Sequence, residues 1–299
     1  MSSQKRLMLL KKAVNYVSYL LVFLSVIFIG YKFYTLQGLV NLTGFFKDHG
    51  LVFTVACLVY ALNNYLLAAG WRLILAGLDE KITIKLSVAI FGVSQIAKYI
   101  PGNIFQFAGK QVLAVRHNLN SAKVAKSQFL EIILLLLSSL PFSIYVGVYY
   151  FLEMGVALSI FTSFLFFLGA SFIINRISTN FFRTFSSYMI FMFVSGLMFF
   201  LIVTSTIKVN STLSLDAFVL CSFVAAWLIG FIMPGSPAGL GVRESILILL
   251  LFPVFRDQSL VFNAAILTRL VTVIGDLIFF IFSSTVQRFI DSERQTKRI

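Results

Sequence analysis

The chain has 299 residues, of which 59% are hydrophobic and only 12% charged, against about 25% charged in ordinary globular chains. A soluble fold has nowhere to hide so much apolar surface, so composition excludes a soluble domain and points to a bilayer as the solvent. The net charge of +13 would suggest nucleic acid in a soluble chain. Here the basic residues sit in short connections between apolar runs, the positive-inside pattern, and no nucleic-acid partner is expected.

The basic N-terminus precedes an apolar run at about 13–34. The run is long and lacks a small-residue cleavage site, so it reads as a retained first crossing rather than a signal peptide. A second crossing is expected at about 51–76. The next apolar stretch, about 86–116, is broken at Pro101-Gly102, and its return half, Ile104 to Val115, is short and carries Lys110. Crossings follow at about 125–150, 155–174 and 185–207. A second broken stretch, about 215–255, splits at Pro234-Gly235 before a last crossing at about 261–287. Cys57 and Cys221 lie inside apolar runs and show no metal or redox spacing. Residues 1–299 therefore read as one all-α, polytopic integral membrane domain with about six transmembrane helices. The stretches 86–116 and 215–255 read as re-entrant helical hairpins.

Charge placement orients this topology. With the N-terminus inside, fifteen Lys and Arg fall on the cytoplasmic side and only four, Lys32, Lys47, Lys208 and Arg256, on the outer side. The remaining five lie near or within the membrane. Six crossings return the C-terminus to the cytoplasm, and the expected location is the cell inner (cytoplasmic) membrane. The basic connections also suit contact with anionic membrane lipids.

The two breaks match. The first runs Pro101-Gly102-Asn103-Ile104-Phe105-Gln106 to Lys110, the second Pro234-Gly235-Ser236-Pro237 to Arg243-Glu244, each with a basic residue nine positions after its first proline. By the topology above they enter from opposite sides, the pattern of transporters built on inverted repeats. Irregular backbone cannot face lipid and must be buried or line a wet cavity. Asn103 and Ser236 are suitable N-caps, and Pro237 suits the first helical position. Each return helix would then aim its positive dipole end into the membrane, where it attracts phosphate, with Lys110 and Arg243 about two turns further along. The plainer reading is that Pro-Gly kinks two long helices for packing.

Other ionisable residues fall in apolar runs. Glu131 and Asp276 are placed to neutralise nearby cations, and Arg269 and Asp276, seven apart, share one face of the last helix. Such residues usually face a cavity or each other. Arg72 and Lys98 read more simply as snorkelling to the inner interface. The candidate binding residues are thus Pro101, Gly102, Asn103, Gln106, Lys110, Glu131, Pro234, Gly235, Ser236, Arg243, Glu244, Arg269 and Asp276.

At these residues the chain resembles the flippase-like membrane domain of the bacterial lysylphosphatidylglycerol synthetase/flippase family. The segment Pro234-Gly235-Ser236-Pro237-Ala238-Gly239-Leu240-Gly241-Val242-Arg243-Glu244 carries the resemblance most specifically, and Pro101 to Lys110 with Arg116 more loosely. That family often has an acidic residue soon after the first glycine, where this chain has Asn103 and Gln106. Full-length members add a cytoplasmic aminoacyl-transferring domain, and this chain is similar to the stand-alone members that lack it. The resemblance implies movement of an anionic phospholipid or lipid-linked saccharide between leaflets, without a cofactor.

A flippase-like translocator is therefore the leading expectation, and nothing resembles a nucleotide-binding loop. An enzyme is not expected: His49 and His117 sit alone in loops, and the acidic pair Asp79-Glu80 lacks a second cluster. The alternative is a membrane scaffold for a separate lipid-modifying enzyme or glycosyltransferase. A second copy of the chain is a further candidate partner.

Overall fold

The three-dimensional structure is a computed structural model, and it describes residues 42–100, 105–206, 212–233, 239 and 241–296. The expected crossing at 13–34 lies outside them. The described residues are helical almost throughout and contain no strand. In chain order the helices are α1 (Leu42–Gly77), α2 (Ile84–Gln95), α3 (Phe105–Arg116), α4 (Ser121–Val146), α5 (Val156–Ile177), α6 (Thr179–Thr206), α7 (Leu213–Ile232), α8 (Val242–Phe255) and α9 (Gln258–Thr296). A 3₁₀ turn, Ile96–Tyr99, extends α2 toward the first break.

Six helical segments among the described residues are long and apolar enough to cross a bilayer: Lys47–Gly77, Ser121–Phe151, Val156–Ile177, Thr179–Thr206, Leu213–Ile232 and Gln258–Arg294. Five coincide with expected crossings. The sixth, α7, is the leading half of the second broken stretch. Its 20 residues span about 30 Å at 1.5 Å per residue, so this half is long enough to cross by itself. By the same rise, the 12 residues of α2 and of α3 reach only about 18 Å each.

Local chemistry sets the boundaries. Thr83 caps α2 by accepting from the Leu86 N–H at 3.2 Å, and Asn120 caps α4 by accepting from Ala122 and Lys123. Both broken stretches end their leading helix in the same way. Ile100, before Pro101, is extended at φ −74°, ψ 134°. Met233, before Pro234, is extended at φ −66°, ψ 117°. A proline ring disfavours helical backbone in the preceding residue, so sequence alone stops each helix there.

The path of the first broken stretch is fixed by contacts at its two ends. Lys123, after α3, donates to the Asp79 carbonyl at 2.7 Å and lies 3.6 Å from Glu80, both before α2. Arg116 and His117 face Asp291 of α9 at the same end of the molecule. The chain thus leaves this end along α2 and returns to it along α3. The second stretch starts at the opposite end, where Tyr145 at the end of α4 donates to the Ser214 carbonyl and Tyr150 stacks on Phe218. It ends at Phe255, beside the start of α9, whose other end holds Asp291. The two stretches therefore start from opposite ends of the molecule.

The core sits among α1, α2, α4, α6, α7 and α9 around wholly buried Trp71, Tyr188, Phe91, Phe185, Phe199 and Phe218. Small residues let backbones approach, as in membrane helix packing generally: Gly70 meets the Tyr188 ring, Gly196 the Leu220 carbonyl, and Gly275 the Tyr60 ring and Cys57 carbonyl. The span of α5 is only 11% buried, and Phe161, Phe164, Leu165, Leu168 and Phe172 all point outward. In water this would be an untenable surface; in a bilayer it faces lipid.

Candidate functional site

A cavity of about 250 Å³ lies among α1, α2, α3, α4, α6, α7, α8 and α9. Residues flanking both breaks line it: Lys98, Tyr99 and Gln106 around the first, Gly230, Phe231, Gly239 and Arg243 around the second. Two segments more than a hundred residues apart in sequence thus border one space. Pro101, Gly102, Asn103, Pro234, Gly235 and Ser236 lie outside the described residues.

Three ion pairs surround the cavity. On α3, Lys110 points back along its helix to Glu131 of α4, with Nζ 2.9 Å from Oε1 and 2.6 Å from Oε2. Both side chains are buried, and the ammonium lies over the Phe91 ring at 4.2 Å, a cation–π contact that helps offset its lost hydration. On α9, Arg269 donates through Nε to Glu244 Oε1 at 3.0 Å, while the other Glu244 oxygen accepts from the Gly241 N–H at 2.7 Å. One carboxylate therefore both caps α8 and neutralises α9. Two turns further along α9, Asp276 is 2.7 Å from Lys98 Nζ and accepts from Tyr99 and from Asn64 of α1. Asp276 so ties the turn before the first break to α1 and α9.

Arg243 differs from the other three cations. Among the described residues it makes no ion pair, its Nε is buried without a hydrogen-bond partner, and its guanidinium lies 5.5 Å from the Trp227 ring centre. All eleven Asp and Glu of the chain fall within the described residues, so no carboxylate side chain elsewhere neutralises it. Its side chain runs through a slot between two glycines. A Cβ on Gly230 would stand 2.5 Å from Arg243 Cγ, and one on Gly239 would stand 2.5 Å from its Nε. Gly239 and Gly241 have φ +72° and +82°, a region where only glycine is at ease.

The described return helix of the second broken stretch starts at Val242 and is capped by Gly241, while the expected cap Ser236 lies outside the described residues. Arg243 is consequently in the first turn of α8, where its charge adds to the positive end of the helix. Lys98 does not snorkel to an interface as expected. It is turned into the cavity, because Asp276 gives it a partner there. Gln106, Lys110, Glu131, Arg243, Arg269 and Asp276 all line the cavity, and Glu244 is held beside it by Arg269.

Sequence reading missed Asn64, Tyr60, Trp227, Gly230 and Gly239. The Asn63-Asn64 pair in the middle of the apolar run 51–76 was a usable signal, because an amide in lipid needs a partner. The aromatic residues and Gly230 carried no such mark, whereas Gly239 stood within the Pro234 to Glu244 segment already singled out.

Aromatic rings form most of the remaining wall, from Tyr60, Phe91, Phe107, Phe191, Trp227 and Phe231. The site therefore combines fixed charges with an apolar lining, which is how pockets orient a ligand and exclude water. Among the described residues no cluster of His, Cys, Asp and Glu is suited to a metal ion. Comparison with protein-family models, with curated proteins and with solved structures returns no match.

Proposed function

We propose that this membrane protein is a flippase-like translocator that moves an anionic phospholipid or lipid-linked saccharide between leaflets. One feature carries this reading: two stretches interrupted at Pro-Gly border one cavity whose described lining holds one more cation than carboxylates. Lys98, Lys110, Arg243 and Arg269 face Glu131, Glu244 and Asp276, leaving the Arg243 charge over. A buried surplus charge is costly without a ligand and favourable with one of opposite sign. The resemblance to the lysylphosphatidylglycerol synthetase/flippase membrane domain, noted at these same segments, is in line with it.

In this reading the hairpins α2–α3 and α7–α8 are re-entrant and enter from the cytoplasmic and outer sides of the inner membrane. The headgroup occupies the cavity with its phosphate on Arg243 while the tails stay in the bilayer. Lys110 and Lys98, held by Glu131 and Asp276, shape the field without presenting a full free charge. Arrangement of interrupted helices around a midplane site matches alternating access by rocking of one half against the other.

The test is a leaflet-specific lipid probe in proteoliposomes. The expected result is lipid movement that Arg243→Ala reduces at least tenfold, the order of one lost charged hydrogen-bonding contact. Unchanged movement in Arg243→Ala combined with Lys110→Ala sinks the assignment. Accessibility of single cysteines at positions 118 and 257 tests the topology, which expects labelling from opposite sides.

A further inference from the structure

We propose that the cavity selects its ligand by valence, taking a headgroup with one net negative charge, such as a phosphodiester without a cationic substituent, and rejecting a diphosphate. This deepens the translocator reading and rests on it only for the premise that the ligand is a lipid.

Among the described residues, each charge lining the cavity has a defined place. Lys98, Lys110 and Arg269 are each engaged by one carboxylate at 3.0 Å or less. Every carboxylate side chain of the chain is located, so among the described residues the surplus is one, and it sits on Arg243. A ligand carrying one negative charge brings the site to neutrality. A second negative charge would be buried among aromatic rings without a counter-charge, at a cost of several kcal/mol for an unpaired ion. A zwitterion would bring a cation into a cavity that already has one too many.

The slot around Arg243 fixes where that charge acts. The missing side chains of Gly230 and Gly239 leave the room that its Cγ and Nε occupy, and Trp227 lies beside the guanidinium. The fork is thereby held in place at the first turn of α8. A guanidinium fork so placed matches two oxygens of one phosphate. The same wall also carries uncharged Trp227, Phe231 and Gln106.

The test is competition binding by native mass spectrometry on the full chain in detergent, with four ligands present together. Two are monoanions from different sources: phosphatidylglycerol and a polyprenyl-phosphate hexose. The others are a polyprenyl-diphosphate hexose and zwitterionic phosphatidylcholine. Either monoanion is expected to exceed the diphosphate and the zwitterion by about tenfold or more, the scale of one uncompensated buried charge. Whichever monoanion dominates names the source. Equal or stronger binding of the diphosphate overturns the proposal.

Two substitutions change the surplus in opposite directions. Glu244→Gln frees the Arg269 charge, which cannot be lost by deprotonation, and raises the surplus to two. Preference should move toward the diphosphate. Gln106→Glu lowers the surplus to zero, and the monoanion should lose its advantage over phosphatidylcholine. A purely structural role for these residues would weaken all four ligands alike, and that outcome also overturns the proposal. Valence selection that persists while proteoliposomes show no lipid movement would instead remove the translocator reading and leave the binding inference standing.

Discussion

The Lys110 ammonium on α3 sits 2.6 Å from the Glu131 carboxylate on α4, and both side chains are buried. This contact locks α3 to a long membrane helix. Removing one partner leaves an uncompensated charge in an apolar wall, whereas removing both leaves none. Lys110→Met and Glu131→Leu are each expected to destabilise by about 3 kcal/mol, and the double variant by much less. Thermal melts of the four proteins in detergent check this as a double-mutant cycle. Additive losses would show that the pair is not coupled.

Gly230 gives a way to disturb Arg243 without removing its charge. Gly230→Ala puts a methyl group 2.5 Å from Arg243 Cγ, so the guanidinium must leave its slot. Lipid movement is expected to fall to the level of Arg243→Ala, with circular dichroism unchanged. Arg243→Lys should not restore it, because an ammonium lacks the planar fork.

Glycine packing predicts a contrast on the lipid-facing and core sides. A Cβ at Gly275 meets the Tyr60 ring at 2.8 Å and the Cys57 carbonyl at 3.0 Å, while one at Gly169 on α5 meets nothing within 4 Å. Gly275→Ala should force α1 and α9 apart and lower the melting temperature. Gly169→Ala should leave it unchanged or raise it slightly, since alanine is the better helix former by about 1 kcal/mol.

His117, in the connection between α3 and α4, predicts a pH dependence. Burial holds its imidazole below the ordinary value of 6.5, Arg294 pushes the same way, Asp291 opposes, and Arg116 lowers it further. Both ring nitrogens are buried without a hydrogen-bond partner. The native state therefore binds this proton less readily than the unfolded chain. Its contribution is full above pH 6.5 and declines as pH falls through that value toward the folded pKa. Melts at about pH 7.5 and about pH 5.5 should show a loss on acidification that His117→Gln diminishes.

Much of this architecture was legible in the sequence. Apolar length gave the crossings at 51–76, 125–150, 155–174, 185–207 and 261–287. Proline chemistry gave the ends of two leading helices at Ile100 and Met233. The seven-residue spacing of Arg269 and Asp276 placed both on one face, and both line the cavity. Less visible was the start of α8. That helix is capped at Gly241, whose positive φ favours glycine, while Ser236 and Pro237 lie outside the described residues.

What the sequence by itself determined is the class of environment and the places where helices must stop. Apolar length and proline act locally, so no partner is needed to read them. Only the tertiary structure decided which charges neutralise which. Lys98 looked like an interfacial residue until Asp276, 178 positions away, was found beside it. Arg243 looked like one of several cations until every carboxylate had another partner or another place. Pairing across such separations depends on how the two broken stretches pack against α4 and α9, and no local pattern encodes it.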